Sequence, residues 1–254
     1  MLSQKKVKEV QRTILDHYAK HGRNLPWRKT TNPYKILVSE VMLQQTQVDR
    51  VIPKYAAFIK KFPTLQTLAR AKKENVLKLW SGLGYNSRAV RLQRLARHVV
   101  NAYKGKFPQT YKELLALPGI GPYTAKAVLI FAYNKGEITI DTNVRRILIA
   151  LLHLSEKTPQ ATLERYALAL LPKGRSRDWH NALMDYGAMV LTARKTGIKP
   201  VSKQSPFKDS DRYYRGQILK KHLHKQTHSA NVLGISPSRY ARILRQMRKE
   251  GLLE

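Results

Sequence analysis

The stretch Leu117-Pro118-Gly119-Ile120-Gly121-Pro122-Tyr123-Thr124-Ala125 lies between two apolar helical patterns, at about 110–116 and 123–133. Two glycines one residue apart permit a tight hairpin, and Pro122 suits the first turn of the helix that follows. Backbone N–H groups at such a turn point outward at a helix N-terminus, where a phosphate is held without any base being read. A bare Gly-x-Gly serves many helix–helix turns, so its weight depends on the company it keeps.

That company is strongly basic. Of 254 residues, 48 are Lys or Arg and 16 are Asp or Glu, a formal net charge of +32. The excess is spread over the chain: thirty-six bases against twelve acids up to Pro200, and twelve against four beyond it. Such a chain repels itself unless a polyanion is its partner, and nucleic acid is the leading candidate. Mere solubility is a poorer account, because interspersed signs would serve it with less repulsion. Hydrophobic residues reach 43%, enough for a buried core, and no apolar run approaches the roughly 18 residues of a membrane span. The start, MLSQKKVKEVQR, is charged and does not read as a secretory signal. Zero cysteines exclude disulfides, thiol nucleophiles, zinc–thiolate sites and cysteine-ligated iron–sulfur clusters. The expected location is cytoplasmic, associated with the nucleoid.

Outward from the hairpin nearly every segment reads as helix, so the expected fold is all-α. Apolar helical spacing recurs at about 34–48, 51–61, 74–80, 87–103, 143–153, 160–171 and 178–192, and Val7, Val10, Ile14 and Tyr18 mark one more near the start. Only Glu137–Ile140 resembles a strand. The expected division is a six-helix lobe with the hairpin over 28–135, a second helical lobe from 1–27 plus 136–195, a linker over 196–210 and a basic extension over 211–254. In the extension Arg212–Lys225 has a helical pattern, Ser229–Leu233 is expected as a short second helix ending at Gly234, and Ser236-Pro237 is an N-cap and first-turn pair opening a third with Ile243 and Met247 on one face. Three short helices with a basic last one suggest a helix-turn-helix; a small helical cap on the main body fits equally well.

Acids inside apolar helices need an account. Glu40 sits in Tyr34–Thr46, apolar on nearly all sides, where burial would keep its carboxyl neutral and suited to general acid work. A buried Glu paired with an Arg is the alternative. Asp141 precedes Thr142-Asn143-Val144 at a helix start, where free N–H groups and the dipole favour the charged form. A plain N-cap is the commoner reading of that position alone. Together, one acid kept neutral and one kept charged can expel a leaving group while stabilising a cation. Gly82-Leu83-Gly84-Tyr85-Asn86 is a second glycine-rich joint whose Leu83 and Tyr85 are candidates for insertion into a base stack, or else for ordinary core.

Leu25-Pro26-Trp27-Arg28, Ser39–Thr46, Gly82–Tyr85, Leu117–Thr124, Asp141–Val144 and Leu183–Met189, in that order, resemble the MutY-type adenine DNA glycosylases of the helix-hairpin-helix, endonuclease III superfamily. The resemblance spans about residues 5–195 and implies a two-lobed glycosylase fold, a monomer, and duplex DNA with a mismatched or damaged base as partner. It implies that Glu40 protonates the adenine ring and that Asp141 stabilises the sugar oxocarbenium ion, with Tyr123 and Asn143 in support. Arg28, Leu43 and Asn181 would line the pocket for the flipped base. Gln45, Thr46, Leu83, Tyr85, Gly119 and Gly121 would meet DNA. Tyr123 stands where bifunctional relatives carry a Schiff-base lysine, which implies base removal without a lysine-dependent strand cut.

Two departures stand out. The family's four cluster-binding cysteines, spaced C-x6-C-x2-C-x5-C, thread onto Leu191, Ile198, Val201 and Phe207. The expectation is therefore no iron–sulfur cofactor, with these side chains forming an apolar plug; a monovalent cation at the hairpin remains compatible. Where the family carries a β-rich 8-oxoguanine recognition domain, the expectation from residues 211–254 is a basic helical extension instead, which leaves the opposite-base preference open. Asn86 and Thr142 echo endonuclease III and keep a pyrimidine substrate in view. A non-catalytic architectural DNA-binding protein is the reading of another class.

Overall fold

A computed structural model describes residues 2–200 and 206–253. Its elements, in order, are α1 (Gln4–His21), a 3-10 turn (Pro26–Lys29), α2 (Pro33–Leu43), α3 (Val48–Lys61), α4 (Leu65–Arg70), α5 (Lys73–Trp80), α6 (Ser87–Ala102), α7 (Tyr111–Ala116) and α8 (Pro122–Tyr133). There follow α9 (Thr142–Leu152), α10 (Gln160–Leu170), α11 (Ser176–Met189), α12 (Ala193–Thr196), α13 (Asp211–Leu223), α14 (Ala230–Leu233) and α15 (Pro237–Lys249). The class is all-α, with no strand among the described residues.

The chain divides into two compact units. The first comprises Met1–Ile36, Gln109–Leu115 and Gly121–Lys203; the second comprises Leu37–Pro108, Ala116–Ile120 and Gln204–Glu254. In the first, α11 packs on α1, α9 and α8, and α10 packs on α1 and α9. Its core contains Val10, Ile14, Ile147, Leu163, Trp179 and Leu183. In the second, α6 packs on α4 and α5, and α5 also meets α3 and α13. Phe58 sets its ring edge-on to Trp80, centroids 6.0 Å apart, and both side chains are fully buried.

This grouping differs from the expected division: residues 28–36, 109–115 and α8 sort with the first unit, and the extension sorts with the second. Helix α8 sorts with the first unit because it is apolar nearly all round, burying Ala125, Ala127, Val128, Leu129, Ile130 and Ala132. Arg177 of α11 also caps its C-terminal carbonyls, Nε to Phe131 O at 2.7 Å and Nη2 to Ala132 O at 2.9 Å. The extension sorts with the second unit because α13 packs on α5 as well as on α15.

Caps define most helix starts. Ser3, Thr64, Thr192, Ser210, Ser229 and Ser236 each accept from a backbone N–H in the first turn. The anticipated extension helices are present, including the Ser229–Gly234 helix and the Ser236-Pro237 opening. The short α4 escaped the periodicity, six residues being too few to show it. Glu137–Ile140 is extended but pairs with no strand. Its backbone polar groups go to α11 instead: Thr139 N donates to His180 Nε2 at 3.3 Å, and Ser176 Oγ donates to Glu137 O at 3.2 Å.

Candidate active site

Glu137–Ile140 delivers Asp141 to the start of α9. Its support is rigid, since His180 lies in the core with Nδ1 on Ser176 O at 2.8 Å, and burial pushes the imidazole down to about 4. Asp141 is the N-cap: its carboxylate accepts from Val144 N at 2.8 Å and from Asn143 Nδ2 at 3.1 Å. Asn143 Oδ1 in turn accepts from Arg146 Nη2 at 2.7 Å. Arg146 is buried and anchored on two carbonyls, Leu191 O at 2.6 Å through Nε and Gly187 O at 2.9 Å through Nη2. Gly187 makes this approach feasible: a Cβ there would lie 3.1 Å from Asn143 Cβ and 3.2 Å from Ile147 Cδ1.

The electrostatics of Asp141 reverse the sequence expectation. Burial raises its pKa, and the hydrogen bonds from Val144 and Asn143 and the Arg146 charge offset this only in part. The sequence points to the helix terminus as the dominant influence, yet desolvation of the carboxyl outweighs it.

The first unit also joins Arg28 with Asn181. Arg28 Nη2 donates to Asn181 O at 3.4 Å, but its main partner is Asp185, met by Nη1 at 2.7 Å and Nη2 at 2.8 Å. Arg23 adds its Nε at 2.6 Å and its backbone N at 2.8 Å to the same carboxylate. Complete burial works against charge on Asp185, but the Arg28 and Arg23 hydrogen bonds prevail and lower its pKa. The Arg28 head is thus fixed in place, while its buried Nε has no hydrogen-bond partner among the described residues. Tyr123 is 37% exposed on the first turn of α8.

The second unit carries the remaining candidates. Glu40 is half-buried on α2 beside the buried Ser39, Val41 and Met42, and Leu43 is half-buried at the end of that helix. Gln45 is exposed in a left-handed conformation, φ 55°. Leu83 is buried, whereas Tyr85 is 36% exposed, at φ 45°. Of the two proposed to wedge into DNA, Leu83 is packing material here and Tyr85 is presented. Gly119 takes φ 83° in a turn closed by Ile120 N on Leu117 O at 3.2 Å, and a Cβ there would meet Arg91 Cβ at 3.2 Å. Gly121 caps α8 with no side-chain bond and open space around it.

Sequence reasoning missed the residue that organises these loops. Arg88, 3% exposed, donates from Nη1 to Val41 O and Gln44 O, both at 2.6 Å, and to Met42 O at 3.1 Å. Its Nη2 serves Thr46 Oγ1 at 3.2 Å, Leu83 O at 3.2 Å and Gly84 O at 3.0 Å, and Nε reaches Tyr85 O at 3.3 Å. Burial pushes its pKa down to about 10, so it stays charged. One guanidinium therefore ends α2 and ties the Gln44–Thr46 loop to the Gly82–Tyr85 turn. Nothing marks it among 48 bases. Asp185 and Gly187 were legible in principle, as an acid and a glycine inside an apolar helix.

At the positions matching cluster cysteines, Leu191 and Ile198 pack against the first unit's core. Phe207 does not join a plug: it is 59% exposed, its ring edge-on to Tyr213. Val201 lies outside the described residues. With no thiolate in the chain, these positions do not fit an iron–sulfur cluster.

Residues 38–173 match the family described as HhH-GPD superfamily base excision DNA repair protein. An adenine DNA glycosylase of Buchnera aphidicola subsp. Baizongia pistaciae is 40% identical over 181 residues, 70% of this chain and 52% of its own. One from Mycolicibacterium smegmatis is 42% identical over 194 residues, 74% of this chain and 66% of its own. The chain thus spans half to two-thirds of the length of these curated relatives. Among solved structures, a thermostable thymine-DNA glycosylase is 33% identical with TM-score 0.69, covering 76% of this chain and 90% of that one.

Proposed function

Because the chain belongs to the HhH-GPD superfamily of base excision DNA repair proteins, we propose that it hydrolyses the N-glycosidic bond of adenine mispaired with guanine or 8-oxoguanine in duplex DNA. It does so as a monomer, without an iron–sulfur cluster. The observation that carries this reading is Asp141, a carboxylate oriented by Val144 N–H and the Asn143 amide, with Arg146 fixing that amide.

Glu40 in its neutral form gives a proton to the flipped adenine ring, and the glycosidic bond breaks with its electron pair passing to the base. The Asp141 carboxylate stabilises the cation left on the sugar, directly or through a transient bond to C1′. Water then adds at C1′ and passes its proton to the carboxylate that Glu40 became, leaving free adenine, an abasic site and Glu40 neutral again. In this reading Arg28, Asn181 and Leu43 each meet the flipped base. Tyr85 and Gln45 fill the space that the base vacates, and the Gly119–Gly121 hairpin holds the backbone. Tyr123 forms no Schiff base, so the strand stays intact.

A second reading, removal of thymine or uracil, is supported by the likeness to a thymine-DNA glycosylase structure. One assay separates the two: labelled duplexes with A:8-oxoguanine, A:G, T:G and U:G pairs are incubated with the protein and then cleaved with alkali. Product is expected from the adenine duplexes alone, and Glu40→Gln abolishes turnover while retaining binding. Product only from T:G or U:G replaces the adenine reading with the second, and strand cleavage without alkali overturns the role given to Tyr123.

A further inference from the structure

Residues 206–253 lie outside the stretch matched by the family, yet they fold against the turn that presents Tyr85. Glu250 pairs with Arg215 of α13 and takes a hydrogen bond from Ser87 at the start of α6. A Cβ at Gly251 would lie 3.6 Å from Val90 Cγ1. Arg212 reaches the turn itself, its guanidinium 5.4 Å from the Tyr85 ring centroid and donating to Tyr85 Oη.

Charge in this extension is arranged one-sidedly. Each acid described there is engaged internally. Asp211 holds Arg239 at 2.9 Å and Arg242 at 3.1 Å, Glu250 holds Arg215, and Asp209 accepts from Tyr214 Oη at 3.2 Å. Helix α15 buries Ile243 and Met247 and leaves Arg245 and Lys249 exposed, four residues apart and hence on one face. Among the described residues no carboxylate pairs with either. A pair of uncompensated cations fixed to the same unit as an exposed aromatic on a strained turn suits a polyanion with stacked bases better than an acidic protein surface.

We propose that α13–α15 grip the backbone of duplex DNA, with Arg245 and Lys249 contacting phosphates of the same duplex that the Tyr85 turn enters. This extends the proposed function by giving its DNA substrate a second point of attachment, and it rests on that reading only for the choice of duplex. The test uses the whole chain carrying Arg245→Glu and Lys249→Glu. Binding to an undamaged synthetic duplex is measured by fluorescence anisotropy between about 50 and 200 mM salt. Two lost phosphate contacts should flatten the log–log salt slope by about 2 and weaken binding by about tenfold or more at the lower salt. The circular-dichroism melting curve should be unchanged. If the reversals disturb folding, the Arg245→Gln, Lys249→Gln variant gives the same reading with smaller changes. Wild-type affinity and slope overturn the proposal, and so does a loss confined to single-stranded RNA. An undamaged probe keeps this independent of excision: a chain that grips the duplex through α15 but releases no base contradicts the glycosylase reading alone.

Discussion

Asp141 has two duties that pull apart, capping the start of α9 and serving as an anion. Because its pKa is raised by burial, the contribution of its protonated form to stability is full below the unfolded value and is lost as pH rises through the folded one. Asparagine caps helices as well as aspartate and carries no charge to desolvate. Asp141→Asn should therefore abolish base excision in a single-turnover assay while leaving the melting temperature at pH 7 equal to or above wild type. In the wild type, the acid limb of the rate profile should lie above the ordinary aspartate value of 3.8, activity falling as the carboxyl protonates. The position of this residue was legible from Asp-Thr-Asn at the head of an apolar pattern. Its electrostatics were not, because desolvation depends on how remote segments close over the carboxyl. Asp185 teaches the complementary lesson: the reasoning that singled out Glu40 as an acid in an apolar helix applied to it equally.

Among elements, most helices announced themselves by their period and caps, but the end of α2 did not. The pattern predicts helix to about 48, and the helix stops at Leu43. The guanidinium that takes the carbonyls of Val41, Met42 and Gln44 comes from Arg88, more than forty residues away, and no local signal encodes it. Removing it strands several buried acceptors, each costing about 1–3 kcal/mol. Arg88→Met should lower stability by about 3 kcal/mol or more, and amide exchange should quicken at Thr46 and through 82–86. Arg88→Lys should not restore either, since a point charge cannot serve acceptors spread over both sides of a planar fork.

Over the whole molecule, 32 uncompensated positive charges act against the compact state. Raising KCl from about 20 to 200 mM shortens the screening length about threefold, so the melting temperature should climb across that range in differential scanning fluorimetry. Added duplex DNA should raise it further at low salt, because a ligand that binds only the folded chain stabilises it. Composition alone conveyed this charge. The division into units was less legible: α8 was assigned by its place in the sequence, whereas an all-round apolar surface and the Arg177 cap join it to α11.

Leu191 and Ile198, both half-buried, pack on the first unit's core, and the Leu191 carbonyl anchors the arginine that steadies Asn143. Oxidants that strip metal clusters, and scavengers that starve a cell of iron, find no ligand to attack there. The hydrogen bonds that orient the carboxylate at the head of α9 run through protein groups alone, Val144 N–H, the Asn143 amide and the Arg146 guanidinium.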